Sequence, residues 1–172
     1  MADPHNPLRA GEIWRQDRLD AQLIELEALK SLVVYSGGWA WHFMSPLGHK
    51  EVKTFHDHKD VDLFVKPVDF QKLLVVFRER DFERARTKYD DPSGDFYRYI
   101  KRVESGKIVL DVFVGDVPSV EASGYRVVEP NHLLSLYGVK HTSEECAAVQ
   151  AARKLVAKGI SPVGRKELVE AP

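Results

Sequence analysis

Tyr35-Ser36-Gly37-Gly38-Trp39-Ala40 opens with the end of an apolar run and passes into a double glycine, and Lys59-Asp60-Val61-Asp62-Leu63-Phe64-Val65 follows downstream. Leu32-Val33-Val34-Tyr35 is short and β-branched, so it reads as a strand entering a turn at Ser36-Gly37-Gly38. Paired glycines leave the backbone bare, and phosphate oxygens can come close to amide N–H groups there. The second stretch places carboxylates at positions i and i+2 of a strand, which puts Asp60 and Asp62 on one face and Val61, Leu63 and Val65 on the other. Adjacent carboxylates repel unless a cation lies between them, and hard divalent ions prefer oxygen ligands. A phosphate cradle beside paired acids is equipment for phosphoryl or nucleotidyl transfer.

Working outward, Glu12 to Lys30 has Leu19, Leu23, Ile24 and Leu26 at helical spacing. Trp39 to Phe43 predicts a helix that ends before Pro46. Beyond Pro67, Phe70, Leu73, Leu74 and Phe77 follow the i, i+3, i+4, i+7 rule of a helix packed on a sheet. Phe82 to Lys88 is at best an edge strand. Phe96 to Val103 and Ile108 to Val114 form a hairpin through Glu104-Ser105-Gly106-Lys107. Asp111 stands alone as an acid within that second apolar strand, and an isolated buried carboxylate is costly enough to mark a site. Gly124 to Val128 is a further strand, Asn131 to Tyr137 a helix, and Thr142-Ser143-Glu144-Glu145 has the spacing of a capping box opening a last helix. The expected fold is α/β (α+β): a mixed, partly antiparallel sheet with helices mainly on one side and helices at the C-terminal end.

With 172 residues the chain is expected to form one domain over residues 1–172, with a core at 12–158 and loose ends at 1–11 and 160–172. A net charge of -1 gives no bulk pull toward nucleic acid or membrane. The single cysteine, Cys146, excludes an internal disulfide and offers no zinc-ligand spacing. No apolar run is long enough to span a bilayer, and the first residues lack the pattern of a signal peptide, so no membrane partner and a cytoplasmic location are expected.

Gly-Gly-Trp-Ala, then His-Lys-Asp-Val-Asp-Leu, then a third aspartate in an apolar strand resembles the DNA polymerase beta-like nucleotidyltransferase superfamily. The likeness is greatest to small lincosamide and aminoglycoside nucleotidyltransferases and to minimal members from toxin–antitoxin systems, and it covers roughly Leu32 to Val114. It implies an enzyme that moves a nucleoside monophosphate from a nucleoside triphosphate, such as ATP, to an acceptor hydroxyl, releasing pyrophosphate. The acceptor would be a small molecule, an RNA end or a protein side chain. By the same likeness Asp60, Asp62 and Asp111 would be catalytic and bind Mg²⁺. Ser36, Gly37 and Gly38 would hold the triphosphate, with Lys59 and Lys140 as further nucleotide contacts. The sequence departs from the pattern in three places. Ser45 to Lys50 looks inserted, Phe55 follows Thr54 where an arginine is expected, and Lys140-His141 has no adjacent acid.

Each element also has a plainer reading. Gly37-Gly38 alone is a tight turn, Asp60 and Asp62 can be solvated residues of an edge strand, and Asp111 can pair with Arg98 on the neighbouring strand. The same chain could be a nucleotide-binding regulatory module that does not turn over. His56-Asp57-His58-Lys59-Asp60 resembles the first ligand segment of metallo-β-lactamase-fold hydrolases, but Val61 stands where that motif expects a histidine. Trp39, Trp41 and Phe43 read as core, and Asp90, Asp91 and Asp95 as a solvated loop.

Overall fold

A computed structural model of the chain describes residues 16–44, 60–88, 90 and 94–140. Both termini, Lys59, His56, His58 and the helix expected from Thr142 lie outside these residues.

The first helix, α1 (Gln16–Leu29), is followed by a two-residue strand β1 (Val34–Tyr35) and then by α2 (Gly37–Met44). The double glycine therefore starts a helix and is not a free-standing turn. Strand β2 (Asp60–Val65) alternates half-buried and buried positions, as its acid and apolar faces require. Helix α3 (Pro67–Glu79) begins with proline at its first position, where a missing N–H costs nothing, and buries Leu73 and Phe77. Strands β3 (Glu83–Ala85), β4 (Phe96–Val103) and β5 (Gly106–Val114) follow, then β6 (Ser119–Ala122), β7 (Tyr125–Val128) and α4 (Pro130–Lys140).

These strands form one seven-stranded sheet in the order β3-β4-β5-β2-β1-β7-β6. It is mixed: β2 runs parallel to β5 and β1 to β7, while the other neighbours are antiparallel. The sequence pattern did not anticipate β6. Its turn did carry a signal: Ser123 and Gly124 both have positive φ (61° and 85°), the geometry of a tight two-residue hairpin.

One face of the sheet carries the core. Tyr97 packs on Phe70 and Tyr99 on Phe77 of α3, at centroid distances of 4.9 and 4.6 Å. Tyr35 donates its hydroxyl proton to the Leu26 carbonyl of α1 at 2.6 Å and meets the Phe43 ring of α2 at 5.7 Å. Trp39 and Phe43 are buried, as expected of core residues. Among the described residues, no helix is long and apolar enough to cross a membrane.

Helix α1 turns its leucines inward but not Ile24. Ile24 is 63% exposed, whereas Gln22 and Glu25 are buried beside Leu19, Leu26 and Leu29. The Glu25 carboxylate accepts from Arg80 Nε at 2.6 Å and Lys101 Nζ at 2.8 Å, joining α1 to the end of α3 and to β4. Burial opposes ionisation of Glu25, but the hydrogen bonds and charges of Arg80 and Lys101 outweigh it and hold the carboxyl below its ordinary value. A carboxyl lowered in this way stabilises the fold above its unfolded pKa, and that contribution is lost as pH falls through the folded value. Glu25→Gln is expected to cost about 2 kcal/mol at neutral pH, less than the roughly 3–5 kcal/mol of a fully buried pair because its cations remain partly wet. Denaturant titrations of both proteins should converge as pH drops below 4.5. A gap that stays constant down to pH values well below that would show that the charge contributes nothing.

Candidate active site

The parallel pairing of β2 with β5 sets Asp62 directly opposite Asp111, and the antiparallel pairing of β5 with β4 sets Asp111 opposite Arg98. One row across three strands thus reads Arg98, Asp111, Asp62. Asp60 lies two residues earlier on the same face of β2, opposite Val109. This face is the reverse of the one that packs against α1 and α3.

The row is held by charge. Arg98 donates from Nε to Asp111 Oδ1 at 2.7 Å and from Nη2 to Asp111 Oδ2 at 3.0 Å, a two-pronged contact that fixes the carboxylate plane. The same Nη2 lies 3.7 Å from Asp60 Oδ2. Asp111 is only 7% exposed, and removing such a partner would leave a buried carboxylate uncompensated. The hydrogen bond to Asp111 is the main cause of an upward shift in the Arg98 pKa; burial opposes it, and the charges of Asp111, Asp60 and Asp62 add to it. The plainer reading of Asp111 as the partner of Arg98 is therefore correct as geometry. It also places a cation among all three acids.

The start of α2 abuts this row. The Ser36 amide donates to the Asp62 carbonyl at 2.8 Å, which fastens the end of β1 beside the acid strand. Gly37 has φ +62°, and a Cβ at this position would lie 2.7 Å from Asp62 Oδ2. Glycine at 37 is therefore favoured by its backbone conformation, and a side chain there would push the Asp62 carboxylate from its place. Ser36 and Gly38 are buried beside it. Lys140 ends α4, far along the chain from these residues, and its side chain is outside what the structure describes.

Among the described residues, no three His, Cys, Asp or Glu side chains gather closely enough to hold a metal ion as they stand. The donors in the row are carboxylates, an all-oxygen set that suits Mg²⁺ by chemistry. Asp62 and Asp111 share a register position on adjacent strands, so both project from the same face of the sheet. Two features escaped the sequence: the reach of Arg98 across to Asp60, and the contact of Gly37 with Asp62. The first was hidden because strand register cannot be read from one strand at a time. The second depends on a positive φ that the glycine pair permits but does not locate.

Gly37→Ala is expected to destabilise the protein by about 1–2 kcal/mol through φ alone, with more from the clash against Asp62. In an Asp62→Ala background the nearest remaining Asp62 atom would be Cβ, 3.5 Å away, so only the conformational part should persist. A double-mutant cycle by denaturant unfolding measures the difference. Additive losses would mean that the Gly37–Asp62 approach is not a constraint.

No protein-family model matches the sequence, and no curated protein matches it. Solved structures do. The lincosamide antibiotic adenylyltransferase LnuA, in a lincomycin-bound crystal structure, superposes with a TM-score of 0.52 at 14% identity, over 82% of this chain and 98% of that one. The antibiotic-resistance factor ANT(2'')-Ia, solved in solution, gives 0.53 at 14% identity, over 91% of this chain and 92% of that one. At such identity a likeness speaks for architecture alone. That architecture, a seven-stranded mixed sheet with helices, is the nucleotidyltransferase fold.

Proposed function

We propose that this protein is a Mg²⁺-dependent nucleotidyltransferase that moves a nucleoside monophosphate from a nucleoside triphosphate such as ATP to an acceptor hydroxyl. The observation that carries this reading is the meeting of Asp62 and Asp111 in register, with Gly37 against Asp62, within a nucleotidyltransferase fold. Asp60, Asp62 and Asp111 are the groups that would hold Mg²⁺. The metal, when bound, supplies charge neutralisation for the attacking and leaving oxygens.

The chain's own groups would do the rest. The Ser36 amide is engaged by Asp62, so Ser36 would meet a phosphate through its hydroxyl, and Gly37 and Gly38 through the N–H groups at the start of α2. Lys59 and Lys140 are proposed as further phosphate contacts. The acceptor oxygen bonds to the α-phosphorus as the bond to pyrophosphate breaks. Pyrophosphate leaves with the electron pair, and Asp111 takes the hydroxyl proton. LnuA was solved with lincomycin, which favours a small-molecule acceptor; an RNA end and a protein hydroxyl are the other candidates. We place the protein in the cytoplasm, where nucleoside triphosphates are abundant.

The grip of Arg98 on Asp111 favours a second reading, a nucleotide-binding module of the same fold that does not turn over. One experiment separates the two. Protein with α-³²P-labelled triphosphates, Mg²⁺ and a panel of lincosamide, aminoglycoside, RNA and self acceptors should transfer label. Asp62→Asn should cut that transfer by roughly a hundredfold or more while the melting temperature stays near that of wild type. Nucleotide binding without transfer to any acceptor would establish the silent module. Undiminished transfer by Asp62→Asn would remove Asp62 from the chemistry.

A further inference from the structure

Three acids on one face, at Asp60, Asp62 and Asp111, constitute a concentration of like charge that a fold tolerates only with compensation. Among the described residues, Arg98 supplies part of that compensation. Its contact with Asp111 uses two nitrogens on two oxygens at 2.7 and 3.0 Å, and its Nη2 reaches toward Asp60 at 3.7 Å. Arg98 is 28% exposed on its side chain and Asp111 10%, so water screens this contact only weakly.

We propose that Arg98 is an internal counter-ion that holds Asp111 and Asp60, yielding Asp60 to a divalent cation while it keeps its two-pronged hold on Asp111. It thereby sets the affinity of the site for metal and the orientation of Asp111. This inference rests on the metal-dependent reading above. Arg98 is a positioning residue, since it acts through the carboxylates and not on the substrate. A guanidinium cannot lose its proton at any ordinary pH, so only displacement can remove its charge from the acids. Asp60, the more distant and more exposed partner, is the one surrendered. Asp111 has lone pairs for both a cation and Arg98, and the two-pronged contact keeps its plane fixed while it accepts the acceptor's proton.

The test uses the full chain, with Mn²⁺ alone as the probe. Mn²⁺ binding is followed by electron paramagnetic resonance, and melting temperatures are recorded with chelator and with Mn²⁺. Arg98→Gln removes the competing charge, so its Mn²⁺ dissociation constant should fall roughly three- to tenfold relative to wild type. With chelator it should melt below wild type, and Mn²⁺ should raise its melting temperature by the larger increment. Arg98→Lys keeps a cation but loses the fork. It should bind Mn²⁺ much as wild type does, yet transfer label more slowly. A merely structural arginine would give lower stability and weaker or unchanged metal binding, and that result overturns the inference.

Should Arg98→Gln fail to fold, the Nε–H resonance of Arg98 in wild type serves instead. It should shift on Mg²⁺ titration with the midpoint of metal binding, and an unmoved resonance on metal-loaded protein overturns the inference. Asp62→Asn distinguishes the underlying reading. Mn²⁺ binding that Asp62→Asn abolishes and Arg98→Gln leaves unchanged defeats the counter-ion alone. No Mn²⁺ binding by wild type or by Arg98→Gln defeats the metal site and the counter-ion together.

Discussion

The parallel pairing of β2 with β5 is the contact on which the molecule depends, because it serves the core and the site with one set of hydrogen bonds. Its register sets Val61 beside Leu110 and Leu63 beside Val112 on the face toward the helices, and Asp62 beside Asp111 on the reverse. A slip of one residue would exchange the faces, burying acids among leucines and turning valines toward the site. The apolar core therefore enforces the position of the acids. The site needs no separate device to align the two strands.

Strand β4 extends this division of labour. Tyr97, Tyr99 and Lys101 point to the helices, where Phe70, Phe77 and Glu25 meet them. Arg98, one residue out of phase, points to the acids. Each face of the strand thus carries a cation matched to a buried carboxylate, Lys101 to Glu25 and Arg98 to Asp111. The helices are tied by the first pair and the site by the second, both from a single strand.

Much of this architecture was legible in the sequence. The alternation of β2, the proline-led helix from Pro67, the hairpin from Phe96 to Val114 and the edge character of β3 all follow from local pattern. Where the pattern misled, a tertiary partner had overridden it. Ile24 reads as core by spacing, but Arg80 and Lys101 draw Glu25 inward and rotate Ile24 to solvent. β6 is short and mixed, and only its pairing with β7 makes it a strand. For the site, residue types and spacing pointed to Asp60, Asp62, Asp111 and the glycine pair. The pairing of Arg98 with Asp111 was legible as an alternative, but the further reach of Arg98 to Asp60 was out of sight because it exists only once register is fixed.

Among the described residues, the sheet ends on short strands. The outermost strands are β3, with three residues, and β6, with four. Glu83 and Arg84 on the first and Ser119 and Glu121 on the second are exposed, so each margin presents few backbone groups and flanks them with polar side chains. A foreign strand seeking to extend the sheet would gain only a few hydrogen bonds and would desolvate charge to do so. The long strands, with their apolar runs, are all interior. A chain with the interior strand segment Ile108-Val109-Leu110-Asp111-Val112-Phe113-Val114 would otherwise be a ready template for fibrous stacking. Its placement in mid-sheet keeps that segment out of reach for as long as the fold holds.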